Sequence, residues 1–383
     1  MFVYLDNSAT TRPCAPAVAA LREAAEEKWF NPSSLYEQGM AAEKAIEDAR
    51  LVCKKAVNAT QHRLIFTSGG TEADNLAILG HLRLQKKPGR VLMLSVEHPA
   101  VLQCAKEVEK LGHRVEEIPV DVSGVLDVEK LRTMMGEDVL LITVMQVNNE
   151  VGAIQPIDEV VRLRNELCPK AAIHVDGVQG YLRVPFNFDK SGVQSYAFSG
   201  HKIHAVKGIG GLIVRKDHRL QPLLEGGGQE AGERSGTENT PGIAALKAAV
   251  TAYPPDGAEK MQDLKTHLWQ EISRLIPSAV LNGPDLDSDA AAPHILSVSL
   301  PPVRSQTMLF ALEKDGVLVS NGSACASRKQ KISGVLSAMG MDHLRADCTL
   351  RMSLSHDLTM EQMEYAAASM AKHYELLKIF VRR

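Results

Sequence analysis

Between Arg63 and Lys216 the chain repeats one pattern: a short unbroken apolar run, a turn of small or polar residues, then a helix-like stretch. The apolar runs are "RLIFTS" (63–68), "RVLMLSV" (90–96), "VLLITVMQV" (139–147), "AAIHVDG" (171–177), "YAFSGHK" (196–202) and "GGLIVRK" (210–216), with the more charged strand-like stretch "HRVEEIPV" (113–120) among them. "GGTEADNLAILGHL" (69–82) reads as a loop opening a helix, and a further helix is expected from about Ala100 to Leu111. Strands that are apolar throughout, rather than alternating, are covered on both faces. That predicts an α/β fold with a mainly parallel sheet between helices. Ligands bind such sheets beyond the carboxyl ends of the strands. Gly69–Thr71, Glu97–His98, Asn148–Glu150, Asp176 and Ser199–Lys202 each follow an apolar run directly, so they are expected along one rim.

The chain has 383 residues, more than one typical core, which suggests two domains or one large α/β domain with an appendage. "YPPDG" (253–257) marks a plausible boundary. Beyond it, Met261, Leu264, Leu268, Ile272 and Leu275 recur at helical spacing. The last helix is expected to open at Thr359, with Gln362 completing a capping box and Met360, Met363, Ala367, Met370 and Tyr374 on one face. The formal net charge is −3, which offers no basic footprint for nucleic acid or an anionic membrane. The longest apolar run is too short to span a bilayer, and the N-terminus lacks the pattern of a secretory signal. The six cysteines form no CxxC pair, so a reduced, cytoplasmic protein without a structural metal site is expected.

Several rim residues could carry chemistry. Gly69, Gly70 and Thr71 lie where backbone N–H groups at a helix start bind anions, phosphate above all; a plain tight turn would use the same residues. Asp176 could hold a metal, act as a base, pair with a cationic ring nitrogen, or simply cap a helix with Gln179 three residues on. Lys202, at the inner rim, is a candidate Schiff-base nucleophile, with Lys207 as its competitor and His201 as a phosphate or proton contact. The glycine-rich segment 226–240 is fit to close over an anion. Arg351 could clamp a carboxylate, or be a surface strand residue. Cys325 stands in "SNGSACAS" (320–327), among small polar residues that favour a turn rather than a core. A phosphate cradle, a carboxylate, a lysine, an arginine and an unpacked thiol together suit pyridoxal phosphate chemistry.

The chain resembles the pyridoxal-phosphate-dependent cysteine desulfurases of the class V aminotransferase superfamily. The resemblance rests on "YLDNSATT" (4–11), "NPSSLYEQG" (31–39), "FTSGGTEADN" (66–75), "EHPAVL" (97–102), "NNEVGAIQPI" (148–157), "HVDGVQ" (174–179), "SGHKIHAVKGIG" (199–210), "GGGQEAGERSGTEN" (226–239) and "GSACAS" (322–327), the last as in the group with a long cysteine loop. It implies a fold-type I aminotransferase-like large domain over 13–256. A smaller α+β domain would form from 1–12 and 257–383 and carry the cysteine loop, about 320–332. Lys202 would hold the cofactor and His98 would stack on its ring. Asp176 would pair with the ring nitrogen and Gln179 with the phenolic oxygen. Gly70, Thr71, Ser199 and His201 would hold the phosphate, joined by the partner subunit's Thr237 in a homodimer. Asn148 and Arg351 would bind the carboxylate of L-cysteine, and Cys325 would take its sulfur as a persulfide, leaving L-alanine. The resemblance leaves open another lyase or aminotransferase on this scaffold, and a catalytically silent protein-binding relative. The acceptor stays open among iron–sulfur cluster assembly, thiolated tRNA, a thio-cofactor and a specialised metabolite, as does selenocysteine as a substrate. Ala231 stands where the family usually has arginine, Ala205–Val206 where Gly-Pro is common, and "CASRKQKIS" (325–333) is unusually basic.

Overall fold

The computed structural model describes residues 1–321 and 333–380. The N-terminal strand β1 (Val3–Tyr4) is followed by two helices, Ala15–Glu26 and Glu37–Lys55. Then come β2 (Arg63–Thr67), β3 (Arg90–Leu94), β4 (Arg114–Ile118), β5 (Val139–Met145), β6 (Ala172–Asp176), β7 (Ser195–Ser199) and β8 (Gly210–Val214). Among the described residues these seven form one sheet in the order β2-β8-β7-β6-β5-β3-β4. Neighbours from β7 through to β4 pair in parallel, whereas β8 runs antiparallel to both β7 and β2. The expected mainly parallel sheet is therefore present with one reversed strand inside it. The reversal has a local cause: β7 and β8 are joined without a long crossover helix, and only an antiparallel pair allows that.

Strands β6, β7 and β8 are buried at every position, as unbroken apolar runs require when both faces are covered. Side chains alternate between the faces. Leu92 and Leu94 join one core with Ile142 and Val144, while Val91 and Met93 join another with Ile78, Leu82 and Leu141. The edge strand β4 carries Arg114, Glu116 and Glu117, charges that discourage edge-to-edge pairing. The helix expected near 100–111 is split into Pro99–Leu102 and Ala105–Lys110. At the break the Cys104 N–H bonds to Val101 rather than four residues back, and the Cys104 thiol takes the Ala100 carbonyl.

After helix Thr240–Ala252 the chain builds a second layer. Strands β9 (Val280–Asn282), β10 (Ile295–Ser299) and β12 (Thr349–Ser353) form an antiparallel sheet in the order β12-β10-β9, and β11 (Val317–Leu318) pairs in parallel with β1. Helices Gly257–Leu275, Ser305–Lys314 and Met360–Lys378 cover it. Their Met261, Leu268, Met308, Met363 and Met370 share a separate core with Val3, Leu5, Leu296 and Met352. The Thr359–Gln362 capping box forms as expected. Helices Gly334–Ala338 and His343–Asp347 depart from this pattern: Val335, Leu336 and Ala346 pack into the large core.

Candidate active site

The parallel strands all end on one side of the sheet, and a cavity of about 480 Å³ opens there. Its walls come from the turns after β3, β5, β6 and β7, the start of helix Gly70–Leu82, the N-terminal segment at Ser8–Ala9, and Arg351 on β12. The strand order turns back on itself between β3 and β5, the switch point at which α/β sheets bind ligands.

Helix Gly70–Leu82 starts without a side-chain cap, so its first N–H groups keep their capacity for an anion. Gly70 is required by space: a Cβ there would lie 2.6 Å from Val178 Cγ2. The segment 226–240 is tied to this helix start by the Arg234–Glu72 ion pair (2.8 Å). His201 sits beside Thr10, with Nδ1 3.2 Å from the threonine hydroxyl, and burial followed by Lys202 and Lys207 brings its pKa down to about 4. It is a neutral imidazole here, able to donate to a phosphate without a proton change. Ser199, Thr71 and Gly70 also line the cavity.

Asp176 ends β6, 5% exposed, and one carboxylate oxygen accepts the Val178 N–H at 2.9 Å. Burial, then the nearby Asp74, pushes its carboxyl up to about 6. A buried carboxylate of this kind suits a cationic ligand nitrogen, which would restore its charge. Gln179 forms no capping box. Its amide donates to the Ser8 carbonyl (3.0 Å), and its carbonyl accepts from Arg183 (3.0 Å), which aims it at the cavity from a fixed frame. Lys202 follows β7, and its ε-amine donates to the carbonyls of Ser8 and Ala9, at 2.8 Å for the latter. Lys207 is absent from the cavity wall. His98 caps a short helix by accepting the Ala100 N–H on Nδ1 (3.1 Å), and burial lowers its pKa against the opposing pull of Asp176.

One expected contact falls elsewhere. Asn148 is fully buried, and its amide is used within the chain. Nδ2 donates to the Val96 carbonyl and the Met145 sulfur, and Oδ1 accepts the N–H groups of Glu150 and Val151. Its neighbour Asn149 lines the cavity instead. Thr237 is exposed and lines a neighbouring cavity of about 170 Å³ with Ser68, Gly208 and Arg234. Cys325 lies outside the described residues; Ser333, the next described residue after it, donates to Glu150 at 2.5 Å on the cavity wall.

Three acidic residues without an expected role also front the cavity: Asp74, Glu97 and Glu150. Burial raises all three, Asp74 to about 8, Glu150 to about 7 and Glu97 well above the ordinary carboxylate range. Asp74 pairs with the buried His174 at 3.1 Å, and His174 falls to about 4, as in a neutral pair. Glu97 and Glu150 follow apolar runs and could be placed at the rim from sequence. Asp74 sits four residues into a helix, where only the packing of that helix against β6 brings it to the site.

The aminotransferase class-V family model matches residues 3–365. The chain is 36% identical to the cysteine desulfurase IscS of Clostridium botulinum over 376 residues, covering 97% of this chain and 94% of that protein. Among solved structures it is similar to a NifS-like protein, with a TM-score of 0.91, 33% identity and coverage of 98% of this chain and 100% of that one. It is also similar to SspA in complex with cysteine, with a TM-score of 0.80, 29% identity and coverage of 92% and 98%. A site at the carboxyl ends of a mostly parallel sheet, and a match that spans both layers of the molecule, lead to one conclusion: this chain belongs to the aminotransferase class-V family.

Proposed function

We propose that this chain is a pyridoxal-phosphate-dependent cysteine desulfurase that converts L-cysteine to L-alanine and takes the sulfur on Cys325 as a persulfide. One observation carries the reading: Lys202, His98, Asp176 and Arg351 meet an uncapped helix start around a single cavity. The relatives named for cysteine desulfurase, and the neighbour solved with cysteine, supply the choice of substrate.

The residues present fit the cofactor. The helix start at Gly70–Thr71 with Ser199 and His201 would hold its phosphate, Asp176 its ring nitrogen, Gln179 its phenolic oxygen, and Lys202 its carbonyl carbon. His98 would cover the ring, and the partner subunit's Thr237 would complete the phosphate site. When bound, the cofactor supplies an electron sink that weakens bonds at the substrate's α- and β-carbons. The chain's own residues do the rest. Asp176, ionised beside a cationic nitrogen, keeps that nitrogen protonated. Arg351 binds the substrate carboxylate and fixes which end of the amino acid faces Lys202. The Lys202 amine, at the inner rim of the cavity, would accept a proton from the substrate and return it. Cys325 would attack the substrate sulfur as a thiolate: the new S–S bond forms as the substrate's Cβ–S bond breaks, and that bond's electron pair stays with the carbon fragment, which takes up a proton to become alanine.

The acting unit in this proposal is a homodimer in the cytoplasm that passes sulfur to an acceptor protein. An apolar groove of about 670 Å³ between helices Ala15–Glu26, Glu37–Lys55 and Thr240–Ala252, with Trp29, Leu35 and Met40 exposed beside it, supports the dimer. Two domains, 13–256 and 1–12 with 257–383, are proposed; the second has its own core, although Val335, Leu336 and Ala346 within its bounds pack into the large one. The test gives pyridoxal-phosphate-loaded wild type and Cys325→Ala L-cysteine with a reductant, and measures alanine and sulfide together. Equal yields from wild type and almost none from the variant are expected. Undiminished turnover by Cys325→Ala, or no alanine from either, would overturn the reading.

A further inference from the structure

Arg351 is 3% exposed, and two of its three guanidinium nitrogens already donate within the chain. Nη1 donates to the Asn149 carbonyl (2.9 Å) and Nη2 to Oδ1 of Asp6 (2.7 Å). Nε is enclosed, with no partner among the described residues. Asp6 is itself fixed in place. Its carbonyl accepts from the Tyr4 hydroxyl (3.1 Å) and the Ala9 N–H (3.0 Å), and its backbone bridges to Ser353 on β12. Among the described residues, the other titratable groups within reach of the guanidinium are Glu150 and Tyr4. Burial holds Glu150 near neutrality and raises Tyr4. Asp6 is thus the carboxylate that directly offsets this cation.

A ligand carboxylate that engages both Nη groups must share the fork with one already there. We propose that Asp6 is an affinity-setting residue of the site, an internal counter-ion seated on the carboxylate clamp that limits how tightly Arg351 holds an α-carboxylate. The inference rests on the reading of Arg351 as that clamp. Substrate and product of the proposed reaction both carry an α-amino group and an α-carboxylate, so any affinity gained through Arg351 alone is gained by both. Such uniform binding adds nothing to the chemical step and slows departure of the product. An arginine already paired with Asp6 gives up some of it.

The experiment titrates L-alanine and L-alaninamide, which lacks the carboxylate, into holoenzyme of wild type and Asp6→Asn, following the cofactor's visible absorbance. Asparagine keeps an oxygen that can accept from Nη2 but carries no charge. Asp6→Asn should bind L-alanine at least about tenfold more tightly, a gain just above the fully water-screened value of one charge–charge interaction, with no gain for L-alaninamide. Unchanged or weaker L-alanine binding would overturn the inference, as would an equal gain for both compounds, which reports a loosened site instead of a removed charge. The desulfurase reading fails separately, if wild type binds L-alanine yet forms none from L-cysteine.

Discussion

Among the residues proposed to touch the cofactor, Asp176 is a carboxylate that burial works against. Its carboxyl is raised to about 6 by burial, so in cofactor-free protein the folded state binds its proton more tightly than the unfolded chain does. Stability from this group is therefore lost as pH rises from the ordinary carboxylate range through about 6, and the loss is complete above that. Asp176→Asn should leave cofactor-free protein unchanged near pH 4 and stabilise it by roughly 1–3 kcal/mol at pH 7. Denaturant unfolding at the two pH values measures the difference. The same variant should lose cofactor affinity, because it removes the charge that answers a cationic ring nitrogen. A residue that destabilises the empty protein and is needed by the loaded one is the expected pattern at a site built for a ligand.

At the scale of elements, the start of helix Gly70–Leu82 does most to shape the site. It approaches the turn after β6 so closely that a methyl group at position 70 would press on Val178. Gly70→Ala should push the helix start away from the cavity and weaken pyridoxal phosphate binding at least tenfold, with an overpacking cost of about 1–3 kcal/mol in stability. Equilibrium dialysis with the cofactor, beside a thermal melt, separates the two effects. If affinity survives, this helix start does not hold the phosphate. Other elements could be read locally. The Thr359–Gln362 capping box was legible because both partners lie within one turn of a helix end. The break at Cys104 was not, because no glycine or proline marks it and the chain resumes as helix at once.

At the scale of the molecule, the apolar groove between helices Ala15–Glu26, Glu37–Lys55 and Thr240–Ala252 is proposed to be covered by a second copy. Ala248→Arg would place a charge in it and should shift the protein from dimer toward monomer in sedimentation velocity, with activity falling as Thr237 leaves its neighbour's site. A monomeric wild type would remove both the dimer and that role for Thr237. Seen from this scale, the strands, their burial on both faces and the rim that follows them were legible in the sequence. Unbroken apolar runs punctuated by small residues have few other solutions, and Lys202, His98 and Asp176 stand directly at their ends. Reading the motifs together also gave the family. What the sequence could not order was contact between distant segments. The antiparallel insertion of β8, the arrival of Ser8 and Ala9 at Lys202, and the pairing of Asp6 with Arg351 join residues up to 345 positions apart. Asn148 and Asn149 show the same limit at close range: adjacent and identical, they differ because the amide of Asn148 is consumed by a backbone turn, whereas Asn149 lines the cavity and its carbonyl accepts from Arg351. Local pattern fixes which residues are buried and where a strand ends. Which partners a buried polar group finds is decided by packing in three dimensions, because a hydrogen bond depends on position in space and not on separation along the chain.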